Sequence, residues 1–346
     1  MTIVEIAKEA GVSVATVSRV LNNGPVSAEK KARVEAVIER HKFSPNVLAR
    51  GLISKQSQTI GLIVHGITNH FHMDFIQVVE RYCTAVGYLL FVCICEGENQ
   101  AEIEQRFLGD LIARQVNGII LHEVTPENYN SGLVAHVALR IPLVMVHTFD
   151  AQGEINSVEI DQVAGMRKVM RHLIDLGHRD IFFLRGRYGH SYDSKEAVWR
   201  EMLTESGSPS SPEALVVIEE GNAEEGIIET EERLDAVFKE GRVPSAIFGC
   251  NDIMATGALN AARKNGIDVP ESLSIVGHDN TILAASSHLT SVDLKTASVG
   301  HASIDLLTYV MDGTDSEPRR MILTPDLVIR SSTGPYRDRG GNGCTA

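Results

Sequence analysis

The chain has 346 residues, enough for two or three domains, and its 43% hydrophobic and 22% charged content is ordinary for a globular protein. No apolar run reaches the roughly 20 residues of a membrane span, and charges stand where a signal peptide is apolar, so we expect a cytoplasmic protein. The net charge of −13 is uneven, because residues 1–56 hold nine basic and five acidic residues against 23 and 40 in the rest; a basic segment on an acidic body suggests that only this segment meets a polyanion.

The first 43 residues predict three short amphipathic helices. Apolar residues recur at helical spacing from Ile3 to Ala10, and Gly11 then ends the pattern. Ser13 can cap a second helix, and Ser27 can cap a third. Because a tight glycine turn joins the first two helices, this segment is expected to be a helix-turn-helix unit.

The second helix has side chains suited to reading DNA. Arginine can hydrogen-bond guanine edges bidentately, hydroxyl groups can reach phosphates, and small apolar groups can contact thymine methyls. An ordinary solvated helix bundle is the alternative, and the basic charge of the segment favours DNA. The outward positions are Val14, Ala15, Thr16, Ser18, Arg19 and Asn22.

The stretch SPNVLARGLISK, residues 44–55, predicts a short helix at a domain boundary. Ser44 suits the cap position and Pro45 the first helical position. A helix of this length is marginal alone, since nucleation is costly and few hydrogen bonds follow it. Taken alone, this segment is therefore expected to be only marginally stable as a helix.

From residue 59 onward, buried apolar strands alternate with amphipathic helices. This alternation predicts parallel sheets covered by helices on both faces, in two lobes that divide near residue 160. The predicted strands are 59–64, 88–94, 117–121, 141–146, 181–184, 215–218, 245–249 and 273–277, and the predicted helices include 73–86, 100–114, 161–176, 224–240 and 252–265.

The order of several motifs resembles the LacI/GalR family of bacterial repressors. TIVEIAKEAGVSVATVSRVLNN and VSAEKKARVEAVIERHKFSPNVLARGL are similar to the head and hinge of that family. QTIGLIV, VEIDQVAG, NDIMATGAL and VPESLSIVGHDN extend the resemblance, which covers about residues 2–333.

This resemblance implies a three-helix DNA-binding head, a hinge helix, and an α/β core of two periplasmic-binding-protein-like lobes with an effector between them. It implies a homodimer on a pseudo-palindromic operator in double-stranded DNA; the polar tail predicts no further assembly into a tetramer. The expected boundaries are 1–43 for the head, 44–58 for hinge and linker, 59–160 plus about 290–320 for the first lobe, 161–289 plus about 321–333 for the second, and 334–346 for a disordered tail.

The resemblance also implies roles for residues in head and hinge. In the hinge, Leu52 matches an apolar wedge that enters a base step in the minor groove and kinks the duplex. The residues expected at DNA are Thr2, Ser13, Val14, Ala15, Thr16, Ser18, Arg19, Asn22 and Ser27 in the head, and Asn46, Ala49, Arg50 and Leu52 in the hinge.

The effector site implied by the resemblance lies between the lobes. Helix capping is the alternative for Asn251, and Trp199 is interpreted as a core residue rather than a stacking platform. Lys195 stands where the family has an arginine, and lysine cannot reproduce that bidentate fork, which leaves the effector class open. The expected effector contacts are Asn69, Phe71, His147, Asp161, Lys195, Asn251 and Asp279.

The function expected is a ligand-responsive transcriptional repressor of carbohydrate-utilisation genes, with a sugar or sugar derivative as effector. A corepressor-type regulator, whose ligand strengthens DNA binding, is the alternative. No catalytic site, cofactor or metal site is expected: Cys93 and Cys95 have no histidine partners in sequence, and His70 and His72 are interpreted as cleft-rim residues. A transport protein with this core is disfavoured by the basic head, and an enzyme by the lack of a catalytic pattern.

Overall fold

A computed structural model describes residues 1–21, 24–43, 58–97, 99–147, 153–187, 190–219, 221–313 and 317–337. The chain divides into two compact units, one of Met1–Thr59 with Gln115–Asn117 and the other of the remaining residues. Among the described residues no helix is long and apolar enough to cross a membrane. The hinge helix predicted at 44–55 lies outside the described residues.

The head contains the three predicted helices. Thr2 begins the first with a capping box: its hydroxyl accepts the Glu5 N–H at 3.3 Å, and the Glu5 carboxylate accepts the Thr2 N–H at 2.7 Å. Gly11 ends this helix with φ of 64°, a left-handed conformation that glycine adopts without strain. The helices are α1 (Ile3–Ala10), α2 (Val14–Leu21) and α3 (Ala28–Arg40), and their shared core is Ile6, Ala7, Ala10, Val17, Val20, Val34 and Val37.

The first lobe is built on a six-stranded sheet of order β11-β5-β4-β3-β1-β2. The neighbouring strands from β11 to β1 pair in parallel, as the alternation of strands and helices predicts. The strands are β1 (Thr59–Val64), β2 (Leu89–Ile94), β3 (Gly118–His122), β4 (Leu143–Val146), β5 (Ser157–Ile160) and β11 (Arg320–Leu323), and the helices are α4 (His70–Ala85), α5 (Gln100–Ala113), α6 (Pro126–Asn130), α7 (Leu133–Ala138) and α13 (Thr296–Met311).

The second lobe repeats this architecture with the order β12-β10-β9-β8-β6-β7. Its pairs are parallel except at one edge, where β10 and β12 run antiparallel with Ser291 opposite Val328. The strands are β6 (Ile181–Gly186), β7 (Leu215–Ile218), β8 (Ala246–Gly249), β9 (Ser274–His278), β10 (Thr290–Asp293) and β12 (Asp326–Val328), and the helices are α8 (Gln162–Asp175), α9 (His190–Glu205), α10 (Glu225–Lys239), α11 (Asp252–Lys264) and α12 (Ile282–Ser286).

The chain crosses between the lobes at slightly different positions from those expected. The segment 290–293 was assigned to the first lobe, but β10 hydrogen-bonds to β9 in the second sheet, so the crossover follows Asp293. The segment 321–333 was assigned to the second lobe, but β11 pairs with β5 in the first sheet, so the last crossover follows Leu323. Strand β11 forms one edge of the first sheet, whereas β10 lies between β9 and β12 in the second, and the sequence of neither strand reveals which sheet accepts it.

Two further expectations need correction. Strand β2 was interpreted as buried, yet it lies at the edge of its sheet, and Leu89, Phe91 and Val92 are 62%, 38% and 40% exposed. The tail was expected to be disordered from residue 334, but the Gly334 N–H donates to Ser274 Oγ at 3.0 Å and the Tyr336 N–H donates to the Leu176 carbonyl at 2.7 Å. These hydrogen bonds fix the start of the tail on the second lobe.

Candidate functional site

Most of the predicted DNA-reading side chains that the structure describes in the head are exposed. Val14, Ala15 and Arg19 of α2 are exposed, as are Thr2 and Ser27, while Thr16 and Ser18 are half-buried. Ser13 caps α2, since its hydroxyl accepts the Thr16 N–H at 3.2 Å and lies 2.9 Å from the Thr16 hydroxyl. Ser27 stands at the cap position of α3, but its side chain makes no capping hydrogen bond. Asn22 and the hinge residues Asn46, Ala49, Arg50 and Leu52 lie outside the described residues.

In the core, a hydrogen bond joins the two lobes at the predicted effector site. Asn69 caps α4 in the first lobe, where its side-chain oxygen accepts the Phe71 N–H at 3.1 Å. Its amide nitrogen donates to Asp279 Oδ2 in the second lobe at 3.0 Å. Asp279 follows β9 with φ of 102°, and its other oxygen lies 2.9 Å from His278 Nδ1. Two residues 210 positions apart in sequence therefore meet between the lobes.

Aromatic rings form the first-lobe side of this site. Phe71 packs edge-on against His147, with ring centroids 4.8 Å apart. Burial, followed by the charges of His72 and other neighbours, lowers the pKa of His147 to about 3, although Asp279 opposes the shift. At neutral pH the His147 ring is uncharged and offers one donor and one acceptor.

On the second-lobe side, the structure places Lys195, which the sequence resemblance predicts as an effector contact, in a buried position. It is 2% exposed, and its ammonium donates to the Cys250 carbonyl at 3.1 Å and lies 5.6 Å from the Tyr192 ring centroid. The Tyr192 hydroxyl in turn donates to Asn222 Oδ1 at 2.9 Å. Lys195 therefore places a single buried ammonium group beside the site, which cannot form the bidentate fork that an arginine would offer.

Asn251 and Asp161 have the hydrogen bonds of helix caps. The Asn251 side-chain oxygen accepts the Met254 N–H at 2.9 Å, and its nitrogen donates to the Gly221 carbonyl at 2.7 Å and to Asn222 Oδ1 at 2.9 Å. The Asn251 amide is therefore engaged at both ends. Asp161 caps α8 by accepting the Ala164 N–H at 2.8 Å.

Trp199 confirms its interpretation as a core residue. It is fully buried, packs 5.2 Å from the Phe183 ring, and donates its indole N–H to the Ile181 carbonyl at 3.2 Å. It is also the only tryptophan of the chain, so the intrinsic tryptophan fluorescence reports on the packing of the second lobe.

The structure adds a cluster of histidines that the sequence did not single out. His122, the last residue of β3, has its ring centroid 5.3 Å from His72 and 5.1 Å from His147. Burial, followed by the charges of these two rings and of His65, lowers the pKa of His122 well below its usual range. His72 was expected at the cleft rim, but it is buried, and its ring packs against those of Phe71 and His122.

Comparisons with known proteins agree with this architecture. Residues 2–46 match the family model described as bacterial regulatory proteins, lacI family, and residues 170–333 match a periplasmic binding protein-like domain. The chain is 32% identical over 340 residues to HTH-type transcriptional regulator DegA of Bacillus subtilis (strain 168), covering 96% of this chain and 98% of that protein. It is equally identical to Catabolite control protein A of Priestia megaterium, covering 96% and 99%.

A solved structure of the Lac repressor dimer, bound to operator and the anti-inducer ONPF, superposes with a TM-score of 0.85 at 27% identity, covering 96% of this chain and 99% of that one. A helix-turn-helix head followed by a two-lobed binding core defines a DNA-binding transcriptional regulator. The chain belongs to the LacI family of bacterial regulatory proteins. Its relatives named above are regulators and not enzymes.

Proposed function

We propose that this regulator represses carbohydrate-utilisation genes as a homodimer on a pseudo-palindromic operator, and that a sugar or sugar derivative bound between the lobes changes its DNA affinity. The observation that supports this most directly is the Asn69–Asp279 hydrogen bond between the lobes. A ligand at this point competes with or extends that bond, and so binds one lobe arrangement more tightly than another. Such a difference in affinity is what a ligand needs to shift the population of states.

The chemistry of the cleft supports a polyhydroxylated effector. The Asp279 carboxylate accepts hydrogen bonds from hydroxyl groups, while Asn69 and the neutral His147 both donate and accept them. Phe71 supplies a flat apolar surface at the same place. A thermal-shift screen of sugars, sugar phosphates, sugar acids and nucleobases identifies the class, and stabilisation by nucleobases alone would exclude a carbohydrate.

Exposed apolar residues support the homodimer. Leu89, Phe91 and Val92 lie on the edge strand β2, and in the second lobe Ile228 and Ile282 are 59% and 60% exposed. Exposed large apolar side chains that group together mark interaction surfaces, and the three on β2 are neighbours on one edge strand. Sedimentation of wild type and Phe91→Glu tests this: we expect a dimer for the first and a shift towards monomer for the second. A monomeric wild type would exclude the dimer.

We further propose that residues 44–55, the predicted hinge helix, transmit the effect of effector binding to the DNA-binding head. The helix predicted for these residues is short and therefore marginal on its own, so we expect its folding equilibrium to respond to small changes imposed by the core. Leu52→Ala is expected to weaken operator binding and to leave effector binding unchanged, since the wedge acts only on DNA. Unchanged operator affinity would rule out the wedge.

The regulatory function is tested by gel-shift titration of the purified protein with its own upstream DNA, with and without the ligand found by the screen. We expect sequence-selective binding that weakens with salt, as phosphate contacts require. Release of DNA by the ligand identifies an inducer, whereas tighter binding identifies the corepressor alternative. The absence of selective binding would reject the proposal.

A further inference from the structure

Three metal-binding side chains meet at the first-lobe side of the cleft. His72 lies in the first turn of α4, His122 ends β3, and Glu123 follows directly. Their ligand atoms all lie within 4.8 Å of one another. His72 and His122 are buried and Glu123 is half-buried.

Three of the four ring nitrogens of His72 and His122 lack a hydrogen-bond partner among the described residues. His72 Nδ1 and both ring nitrogens of His122 are buried and unpaired among the described residues. Buried polar atoms are almost always paired in native proteins, so a group without a partner needs an explanation, such as a bound ion. Phe71 and Phe75 pack against the His122 ring, with centroids 5.6 and 4.4 Å away, and hold it in place without offering it a hydrogen bond.

We propose that His72, His122 and Glu123 bind a divalent transition-metal ion. Two imidazoles and a carboxylate are a donor set typical of zinc and of its neighbours in the first transition row, whereas magnesium and calcium prefer oxygen ligands alone. The three donor atoms are up to 4.8 Å apart. Metal–ligand bonds of about 2.0–2.2 Å require them to lie closer together, and rotation of the side chains would bring them there.

The site is incomplete with three protein ligands. A tetrahedral ion needs a fourth donor, and His147 stands beside the cluster with its Nε2 also buried and unpaired. That position is filled by His147, by water or by an oxygen of a cleft ligand. Metal binding can be measured without any effector, because the three protein ligands all lie in the first lobe.

The proposal is tested on full-length protein without an affinity tag, stripped with a chelator and titrated with Co²⁺ and with Zn²⁺ in a calorimeter. We expect one tightly bound ion per chain and a visible cobalt absorption spectrum. His72→Gln and Glu123→Gln should each weaken binding at least about tenfold, since each removes a donor. His136→Gln is the matched control, because His136 is an exposed histidine of the same lobe.

Zinc X-ray absorption of the wild type supplies a readout that needs no variant. We expect imidazole and oxygen ligands; a sulfur shell would assign the ion to Cys93 or Cys95 and overturn the proposal. Circular dichroism of the metal-free variants checks that they are folded. If the wild type binds the ion no more tightly than the folded His72→Gln and Glu123→Gln variants do, the proposed site is also wrong.

Discussion

The buried carboxylate of Glu104 offers a sharp test of how the first lobe is stabilised. Glu104 lies on α5 with no exposed surface. It accepts the Thr125 N–H and hydroxyl, both at 3.1 Å, and the Asn128 side-chain N–H at 2.7 Å. His65 Nε2 lies 2.9 Å from its other side. We predict that Glu104→Gln, which preserves shape and removes the charge, strongly destabilises this lobe.

The magnitude follows from the charge state of the pair. Burial lowers the pKa of His65, but contacts with Cys95 and with the Glu104 and Glu123 carboxylates outweigh it and raise this pKa to about 10. At neutral pH the substitution therefore leaves a buried imidazolium without the carboxylate that lies 2.9 Å from it. Breaking a buried ion pair from one side costs about 3–5 kcal/mol, a large part of a typical free energy of unfolding.

Urea denaturation at pH 7, followed by two probes, measures this cost. Far-UV circular dichroism reports on the whole chain, whereas fluorescence of Trp199 reports on the second lobe alone. If the lobes unfold separately, Glu104→Gln should shift the dichroism transition and leave the fluorescence transition in place. Glu102→Gln on the same helix is the control, because Glu102 is exposed and its substitution should change stability by less than about 0.5 kcal/mol.

A double substitution decides whether the unpaired charge is the cause. His65→Gln combined with Glu104→Gln removes both charges, so it should be more stable than Glu104→Gln alone. If the double variant loses as much stability as Glu104→Gln, or the sum of the two single losses, the cost comes from the hydrogen bonds that Glu104 accepts from Thr125 and Asn128. A Glu104→Gln variant as stable as the Glu102→Gln control would refute the ion-pair reasoning itself.

Three further predictions concern other parts of the core. Burial, followed by the Asp279 charge, raises the pKa of Asp252 to about 7. Between about pH 4 and pH 7 the native state holds a proton that the unfolded chain has lost, so the free energy of unfolding should fall as the pH rises through this window, by up to about 1.4 kcal/mol per pH unit, and level off above it. Urea titrations of Asp252→Asn should show less of this fall. Gly257→Ala places a Cβ 2.6 Å from a carbonyl oxygen of α10, so the free energy of unfolding should fall by about 1–3 kcal/mol and the melting temperature with it. Gly109→Ala has open space around the new methyl group, so its free energy of unfolding should rise by about 0.5–1 kcal/mol. Asn69→Ala should increase the radius of gyration in solution X-ray scattering, because it removes the interlobe hydrogen bond; an unchanged radius would mean that other contacts hold the lobes together.

Most of the architecture was predictable because its signals are local. All eight strands predicted from apolar runs are present, and the helical spacing of the head identified its core side. Strand β2 shows the limit of such reasoning: LLFVCI has the composition of a buried strand, but its position at an edge depends on pairings between distant segments. The same holds for β10 and β11, whose sheet could not be chosen from their own residues.

The candidate site was predictable only where its residues stand at positions that the family resemblance identifies. Asn69 and Asp279 were found through the family resemblance, and the structure brings them within hydrogen-bonding distance. His122 was missed because its significance depends on His72, which is fifty positions earlier and comes close only when α4 packs over β3. Nothing in the sequence near either histidine indicates that the two rings face each other.

The geometry of α4 links lobe closure to the histidine cluster. Asn69 holds the first turn of this helix with one side-chain atom and Asp279 with the other, and the same turn contains His72. A change in the lobe arrangement that pulls on Asn69 therefore acts on a helix cap whose loss typically costs about 1 kcal/mol, and through it on the position of His72. Binding linkage is reciprocal, so an ion that fixes His72 must favour the lobe arrangement that keeps Asn69 in place. Metal affinity measured in Asn69→Ala should accordingly fall, although Asn69 is not itself a ligand, and an unchanged affinity would separate the two sites energetically.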